Sequence, residues 1–221
     1  MGERQEQLQR QLIGVWGGTF DPIHNAHLRL ALEIKQQLHL AEMRLLPASI
    51  PPHKSNYHCR AEDRLAMVNL AVQSCSELMV DDRELKRDGP SYSYDTLIEI
   101  RSELMTNQSL CWIMGSDSLV NFSSWYRWRE LLDCAHIIVV QRPDYDFPVS
   151  GEVGEFLKMH QSFELSDLQA SPAGKIFCTQ LRMLPISSSD IRALLKDDRS
   201  PQFLLPDAVL DYIKSHKLYH P

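Results

Sequence analysis

No stretch of this 221-residue sequence holds eighteen apolar residues in a row, so no membrane-crossing helix is expected. Met1 to Gln11 is polar and charged where a secretory signal needs an apolar centre, and the expected location is cytoplasmic. Gly2 sits where a myristoylated glycine would, but Glu6 occupies the position that needs Ser or Thr. The five cysteines, Cys59, Cys75, Cys111, Cys134 and Cys178, are odd in number and form no Cys-x2-Cys pair, which excludes a disulfide framework and a zinc ribbon. Basic excess is missing too. With 23 Lys and Arg against 29 Asp and Glu, the formal net charge is −6, so a nucleic-acid surface is not expected and any anionic ligand must meet local positive groups. Neither Gly-x4-Gly-Lys-Ser/Thr nor Gly-x-Gly-x-x-Gly occurs, and there is no internal repeat or low-complexity tract.

What is present is enough apolar material, 43%, for one globular domain spanning 1–221. Apolar runs at Leu12–Trp16, Met43–Pro47, Met79–Leu85, Leu110–Met114, His136–Val140 and Lys175–Leu181 predict strands. Between them, helical spacing predicts helices from Leu28, over Ala61–Ser74, Ser91–Met105 and Trp125–Ala135, after Ser187 and over Asp207–Ser215. Pro143 to Pro172 reads as irregular, with one helix near Val153–His160. The alternation implies right-handed βαβ units: an α/β, Rossmann-like, mostly parallel sheet with helices on both faces, its 182–221 part helical. Ligands of such sheets sit beyond the carboxyl ends of the strands. Gly17, Lys54, Gly115 and Ser187 all follow predicted strands.

The densest chemistry lies in Gly17-Gly18-Thr19-Phe20-Asp21-Pro22-Ile23-His24-Asn25-Ala26-His27. A strand enters a Gly-Gly turn, which lets backbone N–H groups approach a ligand, and a helix start follows with donors and a positive dipole end for an anion. His24 and His27 share one face of its first turn. A zinc site lacks a convincing third ligand, and a plain structural turn is the other reading. Anion binding is favoured because two histidines stand beside two glycines.

The segment resembles the Gly-Gly-Thr-Phe-Asp-Pro-x-His-x-Gly-His signature of the nucleotidyltransferases, departing only at Ala26. Ala is the smallest replacement for that Gly and favours the helix, so a slightly tighter approach to the nucleotide is expected. Ile186-Ser187-Ser188-Ser189-Asp190-Ile191-Arg192 is similar to the family's Ile-Ser-Ser-Thr-x-Ile-Arg element, Ser189 keeping the hydroxyl of the usual Thr. Read without the family, it is a helix cap with a solvated arginine. Beside the first motif it forms a site for triphosphate oxygens.

Other segments resemble the nicotinate-mononucleotide adenylyltransferases within that superfamily. Pro51-Pro52-His53-Lys54 matches a loop of the pyridine-nucleotide members, and the resemblance makes Lys54 a phosphate contact. Trp125 matches the tryptophan that stacks on the pyridine ring, and Thr96 and Tyr126 sit where backbone donors to its carboxylate are expected. Asp117, in Gly115-Ser116-Asp117, resembles a ribose-contacting aspartate.

The resemblance implies adenylyl transfer from ATP to nicotinate mononucleotide. His24, His27 and Arg192 are the expected catalytic residues, and Gly17, Gly18, Thr19, Phe20, Asp117, Ser187, Ser188 and Ser189 complete the ATP site. Lys54, Thr96, Trp125 and Tyr126 form the acceptor site. Magnesium is expected on phosphate oxygens and water, with no protein metal cage. The alternatives are a sibling transferase acting on nicotinamide mononucleotide or phosphopantetheine, and a non-catalytic nucleotide-binding module. No nucleic-acid or membrane partner is expected, and the chain is compatible with a monomer or a homo-oligomer.

Overall fold

The structure, a computed structural model, describes residues 9–50, 58–142, 147 and 150–219. Seven strands form one sheet: β1 (Gln11–Gly18), β2 (Glu42–Pro47), β3 (Met79–Val80), β4 (Gln108–Gly115), β5 (His136–Gln141), β6 (Gln161–Ser162) and β7 (Ile176–Gln180). Their order is β3-β2-β1-β4-β5-β7-β6, and every pairing is parallel. The helices are α1 (Asn25–Gln37), α2 (Ala61–Val72), α3 (Arg83–Lys86), α4 (Ser93–Glu103), α5 (Leu131–Cys134), α6 (Gly151–His160), α7 (Leu165–Ala170), α8 (Ser188–Lys196) and α9 (Asp207–Ser215).

A sheet covered on both faces needs apolar side chains in both directions of the strand alternation. The central strands supply them. Leu12 and Trp16 of β1, Cys111 and Ile113 of β4, and Ile138 and Val140 of β5 join one buried cluster, with Ile34, Val68, Ile191 and Val209 from helices. Their neighbours Val15, Leu110, Trp112, Met114, Ile137 and Val139 join the opposite cluster with Leu97, Ile100 and Leu131. The strand order reverses direction between β1 and β4, and a crevice opens at the carboxyl ends of such a pair. Gly17-Gly18 and Gly115 end those two strands, so the fold delivers both glycine turns to one place.

Three expectations are corrected. The strand over Met79–Leu85 stops at Val80, and Arg83–Lys86 is a helical turn. Asp81 accounts for the break: its Oδ1 accepts from the Arg83 backbone N–H at 3.2 Å and from Arg83 Nε at 2.8 Å, turning the chain. The helix over Trp125–Ala135 is replaced by a 3-10 turn at Trp128–Glu130 and short α5, with a further 3-10 segment, Ser116–Ser124, just before it. Trp125 is extended and Arg127 has φ 53°, which no α-helix admits. Pro143 to Pro172 contains more order than expected, with α7 and edge strand β6 beside the expected helix. Among the described residues, no helix is long and apolar enough to cross a membrane.

Candidate active site

A cavity of 460 Å³ lies over the switch point between β1 and β4. Gly17 to Phe20, His27, Ser188, Ser189 and Arg192 line it, joined by Trp16, His58, Trp112 and Arg142. Its volume is in the range that small ligands and cofactors occupy.

Each wall has a local cause. A Cβ on Gly17 would lie 2.5 Å from the Trp112 ring, so only glycine lets the turn close over that indole. Phe20 adopts φ 49°, and its ring tucks under Gly18, where an added Cβ would be 2.9 Å away. Buried Arg64 clamps the turn from behind, donating to the carbonyls of Thr19 at 2.8 Å, Ala48 at 2.6 Å and Ser49 at 2.9 Å.

The two motifs meet. The Ser188 hydroxyl donates to the Pro22 carbonyl at 2.9 Å, and Arg192 reaches the Asp21 carbonyl at 2.5 Å while its other nitrogen holds the Ser189 hydroxyl at 3.2 Å. The Asp21 carboxylate points away from these contacts. It accepts from Tyr219 Oη at 2.7 Å, Cys59 Sγ at 3.2 Å and the His58 N–H at 3.1 Å, so the C-terminal segment anchors the first motif.

The paired histidines divide their positions. Their rings stack at 3.7 Å, but only His27 lines the cavity; His24 is buried behind it with Nδ1 unpartnered among the described residues. Burial first, and Arg142 second, push the His24 pKa down to about 4, so at neutral pH that ring is uncharged. Among the described residues, Arg142 and Arg192 are the arginines that line this cavity.

Asp117 stands at the end of β4 with Oδ1 3.0 Å from Arg142 Nε, orienting the guanidinium. A Cβ on Gly115 would lie 2.3 Å from that carboxylate oxygen, so Gly115 makes room for the pair. Ser187 is the N-cap of α8: its Oγ accepts from the Asp190 N–H at 3.1 Å and donates to the Asp190 carboxylate at 2.7 Å. It does not line the cavity, whereas Ser188 and Ser189 do.

A second, smaller cavity of 140 Å³ shares Gly17 to Thr19, Trp112 and Trp125 with the first. Its outer wall is aromatic. Trp125 packs on Phe122 at 5.5 Å, and Tyr126 lies 4.7 Å from Tyr92. Thr96 is not at this wall. It is fully buried, its N–H closes the first α4 hydrogen bond to the Tyr92 carbonyl at 3.2 Å, and its hydroxyl is engaged by Glu84 and Arg87. Ser93, the first residue of α4, lines the cavity instead, because only the opening turn of a helix has N–H groups without intrahelical partners. Lys54 lies outside the described residues.

Arg142, Trp112, Glu84 and Ser93 were not singled out by the sequence. Trp112 and Arg142 sit within or just past apolar strands that look like core, and only the strand order places them at the crevice. Ser93 had a usable signal, since the helix start follows Gly89-Pro90 closely.

The cytidylyltransferase-like family model matches residues 15–194, a span containing both motifs. The chain belongs to that family. Within it, the chain is 48% identical to the probable nicotinate-nucleotide adenylyltransferase of Aeromonas hydrophila, with 95% of this chain and 97% of the relative covered. It is 45% identical to the protein of the same description from Cellvibrio japonicus, covering 95% and 99%. The fold is shared with the nicotinic acid mononucleotide adenylyltransferase of Plasmodium falciparum, solved with NaAD, at a TM-score of 0.71 and 22% identity over 95% of this chain and 97% of that one. Ligands of open α/β sheets bind at such a strand-order reversal, where this cavity lies.

Proposed function

We propose that this chain transfers the adenylyl group of ATP to nicotinate mononucleotide, forming nicotinate adenine dinucleotide and pyrophosphate. One observation carries the reading: a large cavity with two arginines and two histidines and a small aromatic-walled cavity share the Gly17–Thr19 turn, an arrangement suited to holding two ligands side by side. The relatives' descriptions support the same reaction.

An acceptor phosphate oxygen attacks the α-phosphorus of ATP, a new P–O bond forms, and the bond to the β-phosphate oxygen breaks. The nucleophile is already a phosphate, mostly dianionic at pH 7 with a second pKa of about 6, so the chain needs no general base. Its work is in-line positioning and charge stabilisation. In this reading His27 and the Gly17–Phe20 backbone hold the reacting phosphate, and Arg192 with the Ser188–Ser189 helix start holds the departing pyrophosphate. His24, neutral and stacked on His27, fixes that ring's plane. Arg142, aimed by Asp117, adds positive charge. Lys54 is assigned to the acceptor phosphate.

Magnesium fits this site as a companion of the triphosphate. Asp21 is the only carboxylate residue at the large cavity among the described residues, and its oxygens are committed to Tyr219, Cys59 and His58. The ion would be held by phosphate oxygens and water, offsetting charge on the leaving group.

A flat pyridine ring suits the Trp125 and Tyr126 wall better than the flexible arm of phosphopantetheine. The opening N–H groups of α4 favour a carboxylate over an amide, whose NH2 would face a donor at a cost of about 1 to 3 kcal/mol. The test is product formation from ATP with nicotinate or nicotinamide mononucleotide. At least about tenfold better use of the nicotinate form is expected. Equal or better use of the amide would overturn the acceptor, and no product from either would overturn the function.

A further inference from the structure

Glu84 is a buried acidic residue, 3% exposed, at the wall of the small cavity beside Ser91, Ser93 and Tyr126. A hydroxyl of α4 meets its carboxyl. Thr96 Oγ1 donates at 2.7 Å and itself accepts from an Arg87 guanidinium nitrogen at 2.8 Å. Ser91 lines the same wall, and its hydroxyl oxygen accepts from the Ser49 N–H at 3.0 Å and the Ile50 N–H at 3.3 Å.

A hydroxyl has one hydrogen to give. With the Thr96 hydrogen directed at Glu84 and its oxygen taken by Arg87, α3 and the opening of α4 are tied through one carboxyl. Resting on the acceptor reading above, we propose that Glu84 is a positioning residue that sets acceptor specificity, by holding the first turn of α4 at Ser93 in register with the ring substituent. Glutamine cannot substitute. Its carbonyl oxygen can accept from Thr96 only with the loss of the carboxylate charge beside Arg87, and turned over, its NH2 meets the Thr96 hydroxyl as a second donor. Either change moves the turn whose donors read the substituent, and misplacements of this kind are costly in a pre-organised site.

The test compares the unmodified protein with Glu84→Gln, Thr96→Val and Thr96→Ser, using ATP and both mononucleotides. For Glu84→Gln, KM for the nicotinate form should rise about tenfold, and the nicotinate-to-nicotinamide preference should fall at least about fivefold. KM for ATP should stay within about twofold and kcat within about threefold. Thr96→Val, which keeps the shape but loses the hydroxyl, should move the preference the same way, and Thr96→Ser should restore it. An unchanged preference in folded Glu84→Gln would overturn the proposal. So would a joint rise in both substrates' KM, or a fall in KM for the nicotinate form, which would mark Glu84 as a repelling charge. If Glu84→Gln does not fold, an unchanged preference in Thr96→Val overturns it. Failure of the unmodified protein to use either mononucleotide would instead remove the proposed function, and this assignment with it.

Discussion

On the nucleotide side of the crevice, the walls are backbone and short contacts between two sequence motifs: the Gly17–Gly18 turn, the Ser188 bond to Pro22 and the Arg192 bridge to Asp21 and Ser189. On the acceptor side, the walls are side chains from α3, the start of α4 and the 3-10 turns around Trp125, held by a polar ladder through Glu84. The first side is built from two short, individually contiguous motifs and tolerates little, because its donors are fixed by the chain path. The second is assembled from separated residues, and each contributes a share. Substitutions should therefore cut catalysis on the first side and tune the acceptor on the second.

The largest effect tests that division directly. His27→Ala should lower turnover by roughly two to four decades, the scale of removing a transition-state charge stabiliser, while thermal stability changes little. His27 lines the cavity and His24 does not, so the loss should follow His27. Near-normal turnover in a folded variant would break the comparison.

His24 should show itself through stability. Its pKa is lowered from 6.5 to about 4 in the folded protein, chiefly by burial, so the unfolded chain takes up a proton that the folded one refuses. Stability from this group is complete above pH 6.5 and is lost as pH falls toward 4, by on the order of 3 kcal/mol. Denaturant midpoints between pH 7.5 and 4.5 should fall less steeply in His24→Asn than in the unmodified chain. Parallel slopes would contradict a neutral, buried His24.

Arg192→Lys is next. The guanidinium spans Asp21 and Ser189 at once, and an ammonium cannot reproduce that two-point geometry. A loss of about two decades in kcat/KM for ATP is expected, with acceptor preference intact. Unchanged ATP kinetics would return Arg192 to the role of a plain helix charge.

These sites differ in how legible they are in the sequence. Gly17, Gly18 and His27 could be read because a strand, a turn and a helix start follow one another without interruption, and the short-range physics of each is sufficient. The parallel sheet was equally readable from apolar runs at β1, β2, β4, β5 and β7. The acceptor side was not. The 125–135 stretch carries enough apolar residues to imitate one continuous helix, while its 3-10 turn and the left-handed Arg127 are set by tertiary packing. The family resemblance points to Thr96 as a backbone donor, yet it lies one turn inside α4, where its N–H is already spent. Arg142 follows the carboxyl end of β5, but which strands border the crevice depends on the strand order, and that is not legible in the sequence.

Trp125→Ala probes the other side of the comparison. The indole borders both cavities and packs on Phe122, so its removal should raise KM for both mononucleotides by about tenfold. Stacking does not distinguish acid from amide, so their ratio should hold. A changed ratio would mean that Trp125 itself reads the substituent.

The smallest effect separates two neighbours that share a motif. Ser187, Ser188 and Ser189 are adjacent, and a purely motif-based view gives them the same duty. Ser187 is turned into its own helix, exchanging hydrogen bonds with Asp190 at 3.1 and 2.7 Å, while Ser188 and Ser189 border the cavity. Removing an N-cap oxygen costs about 1 kcal/mol, which in a chain of this size lowers Tm by roughly 2 to 4 °C. Ser187→Ala should show that shift, with ATP kinetics within about twofold of the parent because no contact to the nucleotide is removed. Ser189→Ala should do the reverse, since its hydroxyl steadies Arg192 at 3.2 Å and caps nothing. If Ser187→Ala instead loses ATP affinity at unchanged Tm, the cap is not its main role, and the line between structural and ligand-facing residues in α8 moves one residue toward the N-terminus.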